Sequence, residues 1–261
     1  MAHPELTLVE NRPFQTQRKD TWWVQPLAVF IGLGVFVVYA TFRVFWGEHY
    51  LHDPYLSPFY SPLLFSSDGS HSWLGVMPEW MPPFITPAVL ILWAPLGFRF
   101  TCYYYRGAYY KAFWADPPSC SVSEPRKGYR GEHSFPLIIQ NIHRYFMYIA
   151  IIFIGILSYD VWKALWFEDG KFGIGIGTII LAGNVVFLGG YTFGCHSLRH
   201  LVGGVVDLLS KTPIRRNMYN CISCLNSKHM LWAWMSLCWV GFSDLYVFIA
   251  SVYDFKDWIT F

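Results

Sequence analysis

Five apolar stretches, each about long enough to cross a bilayer, leave this chain little choice of fold. A helix needs about 20 predominantly apolar residues to span the hydrocarbon. The stretches cover residues 22–46, 84–105, 137–159, 174–206 and 230–250. Charged residues make up only 14% of the chain and hydrophobic ones 54%. Ordinary soluble domains carry about 25% charged residues, and so few charges cannot cover a water-facing surface of this size. The expectation is an all-α, polytopic membrane protein: five transmembrane helices in one bundle, a single domain over 1–261. Pro87, Pro95 and polar residues interrupt the second and third stretches, which is tolerable where helices pack on one another. The fourth stretch is too long for one crossing and is expected to run on beyond the membrane. The first 20 residues are polar and lack an apolar h-region, so no cleavable signal is expected. A net charge of +2 gives no electrostatic footprint for nucleic acid.

Lys and Arg placement sets the orientation, because cytoplasmic loops carry the excess. Arg12, Arg18 and Lys19 precede the first span, and the loop over 47–83 has no Lys or Arg. Arg99, Arg106, Lys111, Arg126, Lys127 and Arg130 follow the second span. Only Lys163 and Lys171 lie between the third and fourth, whereas Arg199, Lys211, Arg215, Arg216 and Lys228 precede the fifth. Lys256 stands alone in the tail. The alternation predicts a cytoplasmic N-terminus and an outer C-terminus in a cell (plasma) membrane. The outer loop 47–83, rich in Pro, Tyr, Ser and Trp, is expected to form an ordered cap with short helical turns. Its His49, His52 and His71 read as solvent or headgroup histidines.

The chemistry gathers at the inner face. Cys238 lies inside the fifth span and reads as a small packing residue. The other five of the six cysteines are Cys102, Cys120, Cys195, Cys221 and Cys224, all at the cytoplasmic side of this topology. That compartment is reducing and disfavours structural disulfides. Free thiols or metal ligands remain, and Cys221-Ile-Ser-Cys224 has a spacing common in metal sites. His143 stands near the start of the third span, His196 and His200 share a helix face, and His229 opens the fifth span. Ionisable groups at membrane depth are costly and mark function. Gln140, Asn141, His143 and Arg144 cluster within about one turn. Three metal centres suit these residues. A haem takes two axial histidines, His143 with His196 or His200; a Rieske-type [2Fe–2S] centre takes two cysteines and two histidines; so does zinc. Gly190 and Gly194 permit close helix approach or leave room for a flat ring. The tyrosines 103–105, 109 and 110 and Trp114 read as an interface belt or as the lining of a quinone-head pocket, with Tyr105 among them.

At the fourth span a resemblance becomes specific. Gly194-Cys195-His196-Ser197-Leu198-Arg199-His200-Leu201, followed by Asp207, resembles a segment of succinate dehydrogenase cytochrome b subunits, with a longer spacing to the aspartate. Arg99-Phe-Thr-Cys102-Tyr-Tyr-Tyr-Arg106, Pro118-Ser-Cys120, Asn141-Ile-His143-Arg144-Tyr145, Cys221-Ile-Ser-Cys224 and His229-Met-Leu-Trp232 resemble the actinobacterial single-chain five-helix anchors. The match runs over about 95–250. The resemblance implies a membrane subunit of succinate:quinone oxidoreductase that docks a flavoprotein and an iron–sulfur subunit and passes electrons to menaquinone or ubiquinone. A small accessory membrane subunit is compatible with it. It implies a membrane-embedded Rieske-type [2Fe–2S] cluster ahead of haem b, since a haem anchor has no use for five inner-side cysteines. Cys102, Cys120, His143, Cys195, His196, His200, Cys221 and Cys224 are the candidate ligands. Arg144 and Arg199 would offset anionic charge or contact the iron–sulfur partner.

Two other readings stay open. One is a haem b anchor of another respiratory complex, of nitrate reductase or hydrogenase type. The other is non-redox, a transporter or a zinc-stabilised scaffold. Transport is disfavoured by the lack of an internal repeat and of polar residues at mid-membrane, Asn184 being the main exception.

Overall fold

The structure is a computed structural model that describes residues 12–126, 134–135, 137–167, 170–204, 206–255, 257, 259 and 260. Lys127, Arg130 and Lys256, used above for orientation, lie outside the described residues. Helix α1 spans Val24–Trp46 and stops at Gly47, whose φ of 74° supplies the left-handed turn that costs glycine nothing. Helix α2 is Pro87–Phe100, with Pro87 in its first turn and Thr86 as its cap, which suits a proline without an N–H to donate. Then come α3, Tyr103–Phe113, α4, His143–Lys163, and α5, Ile176–Phe193. The chain ends in α6, His196–Gly203, α7, Pro213–Ser227, and α8, His229–Tyr253. A 3₁₀ turn over Leu137–Ile142 leads into α4.

Among the described residues, four segments are long and apolar enough to cross a membrane: Val24–Trp46, Leu137–Lys163, Ile176–Phe193 and His229–Tyr253. The second expected span differs. Only 14 residues of it, Pro87–Phe100, form one helix, about 21 Å at 1.5 Å per residue and short of the ~30 Å hydrocarbon. The chain then extends at Cys102 and restarts as α3. The fourth expected span also breaks rather than running on. Cys195 takes φ −67° and ψ 139°, and α6 begins afresh behind it. Helix α5 packs chiefly on α8 and α4, α4 also on α2, and α6 on α7.

Helix α5 approaches its neighbours closely because its small residues allow it. A Cβ on Gly190 would stand 2.5 Å from the Trp232 ring, and one on Gly194 3.2 Å from the Leu225 backbone. Both glycines are therefore packing positions. Cys238, by contrast, is exposed on α8 and is not a packing residue of the bundle interior.

The loop over 47–83 is ordered, with hydrogen-bonded turns but no helix. Leu51–His52 pairs antiparallel with Tyr55–Leu56, and Tyr55, Phe59, Tyr60 and Leu63 are buried beneath it. An ion pair absent from the sequence reading ties this loop to the bundle. Arg43 on α1 and Asp244 on α8, 1% and 0% exposed, meet at 2.8 Å. Asp244 also accepts from Tyr39 at 2.6 Å and from Ser57 at 2.5 Å. Arg43 donates onward to the carbonyls of Glu48 and His49 at 3.2 and 3.1 Å. The two charges thus have hydrogen-bonding partners besides each other, the condition under which buried charge is sustainable, and the guanidinium also lies over the Phe248 ring at 4.3 Å.

Candidate metal centre

Two helix breaks and two helix starts bring sulfur and imidazole together. Cys102 is the residue before α3, Cys195 the residue before α6, and both are extended. His143 and His229 are the first residues of α4 and α8. The Nε2 atom of His143 lies 3.1 Å from the sulfur of Cys195. The Nε2 atom of His229 lies 3.5 Å from the sulfur of Cys102. Cys102, His143 and Cys195 are buried.

The walls are aromatic. Phe98 stacks on the His143 ring, 4.8 Å between centroids and 2° between planes. Tyr191 stacks on the His229 ring at 5.0 Å and meets Phe98 edge-on at 5.3 Å. Tyr191 therefore joins the two pairs, which also lie within electrostatic reach of each other. The Arg99 guanidinium covers the Tyr191 ring at 4.9 Å. It donates to Tyr105 at 2.6 Å and to Ser236 at 3.0 Å, and Tyr105 donates to the Ala233 carbonyl at 2.7 Å. Tyr105, expected beside a quinone, is a buried strut between α3, α2 and α8. An apolar cavity of about 460 Å³ opens between α1, α2 and α4 and reaches Phe98, Arg99 and Tyr191.

Polar groups inside the site are incompletely satisfied. Among the described residues, His229 Nδ1 and Trp232 Nε1 are buried without a hydrogen-bond partner. Such orphans cost about 1–3 kcal/mol each, a cost proteins accept chiefly at functional sites. Burial pushes the Cys195 thiol up to about 11, against the pull of the Ser197 N–H. That N–H donates to the sulfur at 3.4 Å. The bare site thus holds a thiol, and a metal ion would be needed to hold the thiolate.

A tetrahedral ion bonded to sulfur at ~2.3 Å and to imidazole nitrogen at ~2.0–2.1 Å holds those two donors ~3.6 Å apart. The Cys102–His229 pair, at 3.5 Å, is close to that separation, and the Cys195–His143 pair, at 3.1 Å, is about half an ångström tighter. No group of three or more His, Cys, Asp or Glu side chains gathers round one point among the described residues. The donors form two pairs, not one tetrad.

The remaining sequence candidates stand outside these pairs. Cys120, Cys221 and Cys224 are exposed. The Cys120 carbonyl accepts from Arg18 at 2.8 Å, which fastens the segment before α1 to that loop. His196 and His200 face one another at 4.4 Å, with Tyr103 6.0 Å from His196. Both are exposed, though His196 is within electrostatic reach of His143 and His229. Arg144 is exposed. Arg199 donates to Ser223 at 3.1 Å and covers Tyr219 at 5.1 Å, so it braces α6 against α7. His229, which opens a span and belongs to the His229-Met-Leu-Trp232 match, was not among the candidate ligands. Its signal was depth: it starts α8 as His143 starts α4.

A family model described as actinobacterial succinate dehydrogenase subunit SdhC matches residues 24–252. A chain of the Mycobacterium smegmatis Sdh1 complex in the apo form is 43% identical, with a TM-score of 0.88. That match covers 96% of this chain and 95% of the other. No curated protein matches.

Proposed function

This chain belongs to the actinobacterial succinate dehydrogenase SdhC family, and from that premise we propose that it carries electrons through a Rieske-type [2Fe–2S] centre to a quinone. Partner flavoprotein and iron–sulfur subunits would dock on the cytoplasmic face, the face with the basic loops, and the chain would anchor them. The observation that carries the reading is the convergence of Cys102, His143, Cys195 and His229 from four segments into two sulfur–nitrogen pairs. A binuclear cluster asks for two protein donors on each iron, whereas zinc asks for four around one point. Two cysteines and two histidines that do not gather round one point suit the first demand better than the second. The haem reading asks His143 to face His196 or His200 across a flat slot. His143 instead points at Cys195 and is covered by Phe98, while His196 and His200 point at each other.

When bound, the cluster would supply one-electron transfer at a potential raised by its imidazole ligands. The rest is done by the protein. Cys102 and Cys195 sit at the N-terminal ends of helices, where peptide N–H groups favour anionic sulfur. Phe98, Tyr105 and Tyr191 exclude water from the ligating rings. Arg99 fixes α2 to α8 and holds Tyr191 in place. The quinone is assigned to the apolar cavity, whose inner end abuts Phe98 and Tyr191, the rings stacked on His143 and His229. Cys102, Cys195, His143 and His229 would together supply the two sulfurs and two imidazoles of a Rieske-type centre.

Iron and acid-labile sulfide in the purified complex, with an EPR spectrum of the reduced state, test this. About two irons and two sulfides per chain beyond those of the partner subunits are expected. A low-spin haem spectrum or stoichiometric zinc would refute it.

A further inference from the structure

We infer that Thr101 is a positioning residue that selects the tautomer of His143 and so decides which ring nitrogen is free to bind metal; this deepens the reading above and rests on it. Thr101 lies at the end of α2, next to Cys102, and is 1% exposed. Its hydroxyl oxygen makes two short contacts. It stands 2.7 Å from the Gly97 carbonyl oxygen and 2.8 Å from His143 Nδ1.

A hydroxyl has one proton for two such contacts. The Gly97 carbonyl has none to give, and two oxygens at 2.7 Å with no proton between them repel. The hydroxyl proton therefore goes to Gly97. The contact with Nδ1 then needs a proton of its own, which must be on the ring. Neutral imidazole carries only one N–H, so Nε2 is left with its lone pair. That nitrogen is the one aimed at Cys195, 3.1 Å away. A thiol at Cys195 would donate into that lone pair. The chain of bonds runs in one direction, from Cys195 through His143 and Thr101 to Gly97.

Metal-ligating histidines gain orientation and basicity from a partner on the second nitrogen. Thr101 supplies this for His143, whereas His229 Nδ1 is buried without a partner among the described residues. The two histidines are thereby unequal, and the inequality is written in α2 rather than in the ligands.

The test is ring ¹⁵N NMR of the full chain within the complex, stripped of metal by chelator and labelled at histidine. The His143 signals are identified by their loss in His143→Asn. The expected spectrum has His143 protonated on Nδ1 and bare on Nε2. Thr101→Val should give a tautomer mixture, and Thr101→Ser should restore the single form. An Nε2–H tautomer in the unaltered chain overturns the inference, whether or not a variant assembles. An unchanged tautomer in Thr101→Val overturns it too. In the loaded complex, EPR-monitored titration should place the Thr101→Val reduction potential above that of the unaltered chain, with Thr101→Ser returning it. No shift counts against the assignment. Lack of iron would defeat the cluster reading alone, since the tautomer is read without metal.

Discussion

Replacing Asp244 by alanine should destabilise the bundle far more than its single methylene and carboxylate suggest. The guanidinium of Arg43 would remain 1% exposed with no counter-charge. Removing one member of a buried pair typically costs 3–5 kcal/mol, because the survivor is left charged and unpaired. Arg43 keeps the Glu48 and His49 carbonyls, which places the expected loss near the lower bound. Tyr39 and Ser57 each lose an acceptor, which works the other way. About 3 kcal/mol is more than a hundredfold in the folding equilibrium. Reversible denaturation in mixed micelles measures it, with proteolysis of the outer loop as a second readout, since Ser57, Glu48 and His49 all belong to that loop. The double replacement Arg43→Met with Asp244→Leu should recover most of the loss, as buried pairs exchanged for apolar residues usually do. A loss below about 1 kcal/mol for Asp244→Ala, the range of an exposed pair, would refute the account. So would a double variant as damaged as the sum of the singles.

Further outcomes follow from the same geometry. Joint replacement of Cys221 and Cys224 by serine should leave the iron content of the complex unchanged, whereas Cys102→Ser or His229→Gln should remove most of it; metal analysis of the purified variants decides. In the metal-free chain at pH 8, iodoacetamide should label Cys120, Cys221 and Cys224 readily and Cys195 only after denaturation. The sign is set by burial, which raises the Cys195 thiol to about 11 and leaves only about a thousandth as thiolate; mass spectrometry reads the labels. Gly190→Ala should cost about 1–3 kcal/mol, because its Cβ would stand 2.5 Å from the Trp232 ring; a thermal melt no lower than that of the unaltered chain would contradict this.

The long apolar runs made the membrane architecture legible, but not its interruptions. Nothing in Arg99-Phe-Thr-Cys102-Tyr-Tyr announces a break, because each residue is acceptable in a helix and the aromatic run continues past it. The break at Cys195 is equally silent apart from Gly194. Near the second break, Trp232 and Leu225 from distant segments stand against Gly190 and Gly194. Sequence spacing also favoured the wrong kind of neighbour. Cys221 with Cys224, and His196 with His200, look like ligand pairs because they are close along the chain. The pairs that form join positions 102 with 229 and 143 with 195. Arg43 and Asp244 went unnoticed for the same reason, being two hundred residues apart.

The distribution of the four donors has a consequence for biogenesis. His229 begins the last long helix, α8, and its partner Cys102 precedes α3. A chain emerging from the ribosome and entering the bilayer from its N-terminus can assemble the Cys195–His143 half first and has no complete cradle until α8 is in place. On the proposed reading, a metal centre would form only after α8 has inserted, so a truncated or misthreaded product would hold no metal.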